Sequence, residues 1–140
     1  MGVAEPMAPT DTTTAGLIAA GRFIDGLAAR DLDAVAGALA EDARCRALLP
    51  RRVLDLAGRP AFRAALDIWF AGAERWELVE AVVGEPVDGL IHLRWRVRLR
   101  KPDLGPGAFV VEQQAYAEAD ADGLLRDVAI LCTGFRPEPS

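Results

Sequence analysis

Four side chains in the strand region of this sequence stand out as candidates for chemistry without a cofactor: Gln113, His92, Cys132 and Asp127. Gln113 is the most informative. It shares the parity of Phe109, Val111, Ala115 and Ala117 along one stretch, so it is the lone polar group on an apolar face. An amide both donates and accepts hydrogen bonds. Gln113 could anchor a ligand's carbonyl or hydroxyl, or be a core amide satisfied by the protein, since leaving it unpaired costs about 1–3 kcal/mol. His92 is the single histidine and the natural general base near neutral pH. It falls, however, on the same side as Arg94, Arg96, Arg98 and Arg100, away from the apolar face. Cys132 would need a neighbouring base to become a nucleophile, and none shares its side. One histidine and no clustered ligands also argue against a metal site, and no cofactor is expected.

The elements that position these groups follow from periodicity. Between Leu90 and Arg100, apolar Ile91, Leu93, Trp95, Val97 and Leu99 alternate with His92 and four arginines, the pattern of a half-buried antiparallel strand. Folding back over Lys101–Gly107 sets Leu99 opposite Phe109, Val97 opposite Val111, Trp95 opposite Gln113 and Leu93 opposite Ala115. The same register puts Arg96 across from Glu112, an opposite-charge pair on the other face. The arginine row is then a solvated or subunit-facing outer surface, neutralised in part by Glu112 and Glu118. Strands are also expected at Ala43–Leu49, Trp76–Val83, Phe109–Ala119 and Leu124–Phe135, separated by breaks rich in Pro, Gly and Asp.

Helical spacing marks the other segments. Thr12–Thr14 can cap a helix beginning near Ala15, whose stripe includes Leu17, Ile18, Phe23, Ile24 and Leu27. Asp31 caps a second, short helix through Leu32, Val35 and Leu39. Pro60 opens a third, with Phe62, Leu66, Trp69 and Phe70 on its apolar side. The expectation is one α+β domain over residues 12–136, between tails at 1–11 and 137–140. Long antiparallel strands wrapping three helices must curl, so the sheet is expected to be cone-shaped and to enclose an apolar cavity.

Composition narrows the class. The chain has 140 residues, 51% of them hydrophobic, and a net charge of −5. An acidic chain is a poor nucleic-acid binder. No apolar run approaches the ~20 residues that span a bilayer, so no membrane association is expected. The first fourteen residues lack Lys, Arg and an apolar block, which does not suit a secretory signal. Cys45 and Cys132 both lie in apolar strands, fitting buried thiols in a reducing, cytoplasmic compartment.

The order of these elements resembles a known family. Residues 21–43 read as a helix, an acidic break and a short helix ending in Leu-Ala-Glu-Asp-Ala before a strand. Gly58-Arg-Pro-Ala61 then opens an apolar helix, and Asp122-Gly123-Leu-Leu precedes the last strand. From Ala15 to Phe135 this is similar to the nuclear transport factor 2-like superfamily. Its closest style is that of the SnoaL-like proteins, a group that includes polyketide cyclases, ketosteroid isomerases and limonene epoxide hydrolases. The resemblance implies a cone fold, often dimerising through the outer sheet face. It also implies catalytic positions, which here are mostly apolar. The isomerase tyrosine falls at Phe23, its proton-shuttling aspartate at Ala47 and its second oxyanion donor at Gln113. The aspartate of epoxide hydrolases and the cyclase falls in Val128-Ala129-Ile130-Leu131. Phe and Ala cannot move protons, whereas Gln can donate a hydrogen bond. The family's bulge after the Asp-Gly turn would aim Val128, Ile130 and Cys132 inward and leave Asp127 outside, paired with Arg126 or another arginine.

The expected binding site is therefore lined by Phe23 and Trp69 from the helices and by Ala47 and Leu49 from the first strand. The later strands add Trp95, Gln113, Val128, Ile130 and Cys132. Gln113 is the best candidate for a working group. The expected ligand is a small hydrophobic molecule, with isomerase, cyclase or dehydratase chemistry if there is any. A non-catalytic domain that dimerises or binds a partner through its outer sheet is the alternative. Fold alone does not choose between them.

Overall fold

The alternation along the arginine strand is kept residue for residue. The computed structural model describes residues 7–139, with side chains from residue 14 onward. In it Ile91, Leu93, Trp95, Val97 and Leu99 are buried, while His92, Arg94, Arg96 and Arg98 are half-buried on the other face. Three helices pack on the inner face of one curved, mixed sheet, giving an α+β cone. The elements are α1 (Met7–Ala29), α2 (Leu32–Gly37), β1 (Leu39–Leu49), β2 (Arg52–Ala57) and α3 (Arg59–Phe70). They continue with β3 (Glu74–Val83), β4 (Ile91–Arg100), β5 (Phe109–Ala119), β6 (Leu125–Cys132) and β7 (Arg136–Pro137).

Strand order across the sheet is β2-β1-β6-β5-β4-β3, with β7 paired to β5. The last four long strands form the expected meander, and β1 inserts beside β6 in parallel. The β4–β5 register places Leu99 with Phe109, Val97 with Val111, Trp95 with Gln113 and Leu93 with Ala115, as the alternation required. On the opposite face Arg96 meets Glu112. Between β5 and β6 the register slips: Ala119 pairs with Leu125 but Glu118 with Asp127. This bulge lets Leu125 and Val128 both point inward and turns Asp127 out.

Several boundaries differ from expectation. Helix α1 already runs from Met7, so Thr12–Thr14 lie within it rather than capping it. The first six residues of the expected N-terminal tail lie outside the described residues. Helix α2 ends at Gly37 and Leu39 opens β1, because the Leu125 N–H reaches the Ala38 carbonyl at 3.0 Å and draws the chain into the sheet. Strand β2 lies outside the expected elements. Pro50 reads as a stop, but Pro50 and Arg51 form a two-residue hairpin connection between Leu49 and Arg52. The last strand is interrupted after Cys132, and the expected C-terminal tail is fastened. Arg136 and Pro137 pair with Val110 and Phe109, the Glu138 N–H reaches the Ala108 carbonyl at 3.0 Å, and its carboxylate holds Arg98 Nε at 2.7 Å.

Local signals elsewhere hold. Asp31 Oδ1 accepts the Ala34 N–H at 3.1 Å, capping α2, and Pro60 sits in the first turn of α3. Helices α1 and α2 approach so closely at Gly26 that a Cβ there would lie 2.8 Å from Val35 Cγ2 and 2.9 Å from Val35 N. Only glycine fits this crossing.

Candidate functional site

Gln113 and Trp95 are cross-strand partners on the inner face of β5 and β4. Both are buried, at 5% and 2% exposure. The Trp95 indole N–H donates to Gln113 Oε1 at 2.9 Å. The amide oxygen is thus satisfied by a side chain, an option that strand periodicity does not reveal. Among the described residues the only other buried polar side chain is Lys101. Its Nζ donates to Asp103 Oδ2 at 2.8 Å and lies 5.8 Å from the centre of the Phe135 ring. That bond draws the Asp103 carboxyl below its usual range.

The helices complete an aromatic wall. Phe23 from α1 lies against Trp95 with ring centroids 5.0 Å apart, and against Phe62 of α3 at 6.3 Å. Trp69 meets Phe62 edge-on at 6.5 Å. Of the expected lining residues, Phe23, Ala47, Trp95, Gln113, Val128 and Ile130 are buried, whereas Leu49, Trp69 and Cys132 are half-buried. Six of the nine therefore share the interior, and three stand nearer its rim.

Trp76 has a structural role that the sequence leaves open. Its Nε1 donates to the Leu27 carbonyl at 2.6 Å, it packs edge-on to Phe70 at 4.8 Å, and Arg30 lies over its ring at 5.5 Å. Burial pushes the Cys45 thiol up to about 12. Cys45 pairs in register with Val128, four residues before Cys132. At ~3.3 Å per residue the two cysteines stand roughly 13 Å apart along the strands, too far for a disulfide, and both are free.

The outer face is a charge ladder. Arg94 holds Glu80 at 3.1 Å, Arg96 holds Glu112 at 2.8 Å, and Arg98 holds Glu77 at 3.0 Å as well as Glu138. Glu118, expected to help neutralise this row, forms no ion pair among the described residues, and neither does Asp127. Arg126 instead holds Asp42 at 2.9 Å. His92 stacks on Tyr116 at 4.7 Å, with Nε2 3.0 Å from Gln114 Oε1, so its outer-face placement is as expected. A groove of about 460 Å³ opens beside it, bordered by Arg44, Arg46, Asp55, Tyr116, Glu118 and Asp127. No cluster of three or more potential metal ligands occurs among the described residues, and no helix there is long and apolar enough to cross a membrane.

No family profile and no curated protein matches this sequence. Solved structures do. A protein from Xanthomonas campestris pv. campestris, described as a candidate polyketide cyclase, superposes with a TM-score of 0.66 at 20% identity, covering 86% of this chain and 91% of that one. An uncharacterised cystatin-fold protein from Novosphingobium aromaticivorans gives 0.61 at 22%, covering 82% and 96%. A candidate SnoaL-like polyketide cyclase from Shewanella putrefaciens CN-32 gives 0.62 at 12%, covering 84% and 88%. At these identities the likeness is one of fold. The chain has the α+β cone fold of the nuclear transport factor 2-like proteins that its element order resembled.

Proposed function

We propose that this domain binds a small hydrophobic molecule on the inner face of its sheet, with Gln113 as the polar anchor and Trp95 and Phe23 as the wall. The observation that carries the reading is Gln113 itself: a neutral amide buried in an aromatic and aliphatic interior, its oxygen held by Trp95 and its two amide N–H groups making no bond to another described residue. Binding sites of this kind are mostly apolar with a few placed polar groups. Phe23 occupies the space in front of Trp95, so its ring must yield to a ligand. Any catalysis there would proceed by polarising a carbonyl from Gln113 and by shape, as an isomerase, cyclase or dehydratase. Steroid isomerisation of the ketosteroid isomerase type is not expected, because Phe23 and Ala47 offer neither acid nor base. A thermal-shift screen of polycyclic and terpenoid compounds tests the reading. A ligand at a hundred times its Kd adds about 2.7 kcal/mol of stability, and a broad panel without any shift would contradict it.

A second reading concerns the outer face. Val53, Leu48 and Leu131 are consecutive cross-strand partners on β2, β1 and β6, and each is about half exposed, at 54%, 49% and 47%. We propose that this row, next to the neutralised arginine ladder, joins two copies of the chain. Sedimentation of Leu48→Glu against the unaltered chain tests it: a dimer that becomes monomeric supports the reading, and an unaltered chain that is already monomeric contradicts it.

A further inference from the structure

We infer that the groove between the tip of the β1–β2 hairpin and the segment joining β6 to β7 is an anion site, and that it takes a small organic phosphate, a phosphate monoester carried on an apolar body. The site lies outside the interior proposed above. Of the residues expected to line that interior, only Leu49 borders this groove.

The groove has a volume of about 480 Å³. Arg51 and Arg52 border it from the hairpin, and Arg136 from the start of β7. All three are exposed, and none makes an ion pair or a side-chain hydrogen bond to another described residue. Among the described residues no carboxylate borders the groove. The other sizeable grooves differ. Arg44 shares its groove with Glu118 and Asp127, Arg75 and Arg100 share theirs with Glu77, and Arg22 shares its with Asp25 and Asp31. The nearest carboxylates along the backbone are already engaged. Glu138 is held by Arg98 at 2.7 Å, and Glu112, whose N–H donates to Thr133 Oγ1 at 3.0 Å, is held by Arg96 at 2.8 Å. Three like charges gathered on one hollow repel one another, although the chain as a whole carries −5. An anion in the groove relieves that repulsion.

The walls are fixed. Gly134 has φ +73°, and a Cβ there would meet Pro50 Cγ at 2.9 Å, so the segment after β6 lies directly against the hairpin tip. Leu49 and Arg52 are cross-strand partners and share a side of the hairpin. Leu49 and Phe135 pack on the core, Phe135 edge-on to Phe70 at 6.1 Å. Guanidinium groups therefore border a groove whose other side chains, Thr133 apart, are apolar.

That combination selects the ligand. An arginine fork matches phosphate oxygens in pairs, and a phosphate monoester brings a charge of about −1.5 to −2 near pH 7 to the three guanidiniums. A carboxylate brings one. Inorganic phosphate would leave Leu49 and Phe135 uncovered, whereas an apolar body laid on them leaves water.

Calorimetric titration of the whole chain at low ionic strength, with phenyl phosphate, inorganic phosphate, benzoate and phenol, tests the site. Phenyl phosphate should bind about tenfold tighter than inorganic phosphate, phenol should not bind measurably, and added salt should weaken the phosphates. Arg52→Gln and Arg136→Gln should each weaken phenyl phosphate about three- to tenfold, whereas Arg100→Gln, at a different groove, should leave it unchanged. All three replace exposed side chains, so the fold survives. Benzoate binding as tightly as phenyl phosphate overturns the choice of phosphate, and equal affinity for phenyl and inorganic phosphate overturns the apolar body. Losses that are equal in all three variants or absent from all, or no saturable binding of phenyl phosphate, overturn the site. Proton–nitrogen NMR locates the ligand: the backbone of Thr133 and Gly134 should move while the Gln113 side-chain amide stays still. Movement of Gln113 with Thr133 and Gly134 still overturns this site and leaves the interior reading standing.

Discussion

Trp95 and Gln113 pair directly across β4 and β5, and the indole N–H of one ends on the amide oxygen of the other. The only uncharged polar side chain buried among the described residues is thus held by the largest one. Removing the polar end of either residue takes away the bond that the other's buried polar atom makes.

That mutual dependence gives the first prediction. Gln113→Leu keeps volume but orphans the indole N–H, so we expect a loss of about 1–3 kcal/mol in folding stability. Trp95→Phe should cost more, because it also removes packing against Phe23. The double variant should lose less than the sum of the singles. Chemical denaturation of all three checks this, and strict additivity would mean that the hydrogen bond contributes nothing.

The arginine ladder should behave in the opposite way. Arg96 and Glu112 are partly exposed on the outer face, and such pairs contribute only ~0–1 kcal/mol. Arg96→Ala should therefore unfold at nearly the same denaturant concentration as the unaltered chain. A loss of several kcal/mol would show that this face is buried.

Phe23→Ala removes the ring that lies on Trp95. Buried Phe→Ala changes cost about 3–5 kcal/mol, and we expect a loss in that range together with tighter binding of flat tricyclic molecules such as fluorenone. Stability and affinity measured on one preparation check both halves. Unchanged affinity with lost stability would place the ligand elsewhere.

The cysteines differ in environment, and thiol labelling should show it. Burial holds the Cys45 proton well above the usual thiol range, at about 12, so the unfolded chain loses this proton first. Stability attached to Cys45 is fully present below the unfolded value near 9 and falls as pH rises toward about 12. At pH 8 a thiol reagent should modify half-buried Cys132 and spare Cys45 until the chain unfolds. Equal labelling rates in the folded chain would contradict this placement.

The strand register, the inward set and the isolation of Gln113 were legible in the sequence because a two-residue period leaves only two faces to choose from. The bulge that turns Asp127 out was legible only through the family resemblance, since periodicity alone would have carried the alternation straight through it. Strand β2 was hidden by Pro50, which ends a strand equally well whether or not the chain doubles back. The fastening of residues 136–138 depends on Glu138 meeting Arg98, forty residues earlier, and no local pattern encodes that. The partner of Gln113 was half legible. The register placed Trp95 beside it, but the hydrogen bond depends on the direction of the indole, which strand parity does not fix.

The account stands or falls on where a ligand sits. Proton–nitrogen NMR of the labelled chain, titrated with fluorenone, reads this directly. Movement of the Gln113 side-chain amide and the Trp95 indole, with the backbone of Arg44 and Tyr116 undisturbed, is the predicted result. Perturbations gathered along the outer groove at Arg44, Tyr116 and Asp127, with Gln113 unmoved, would contradict it.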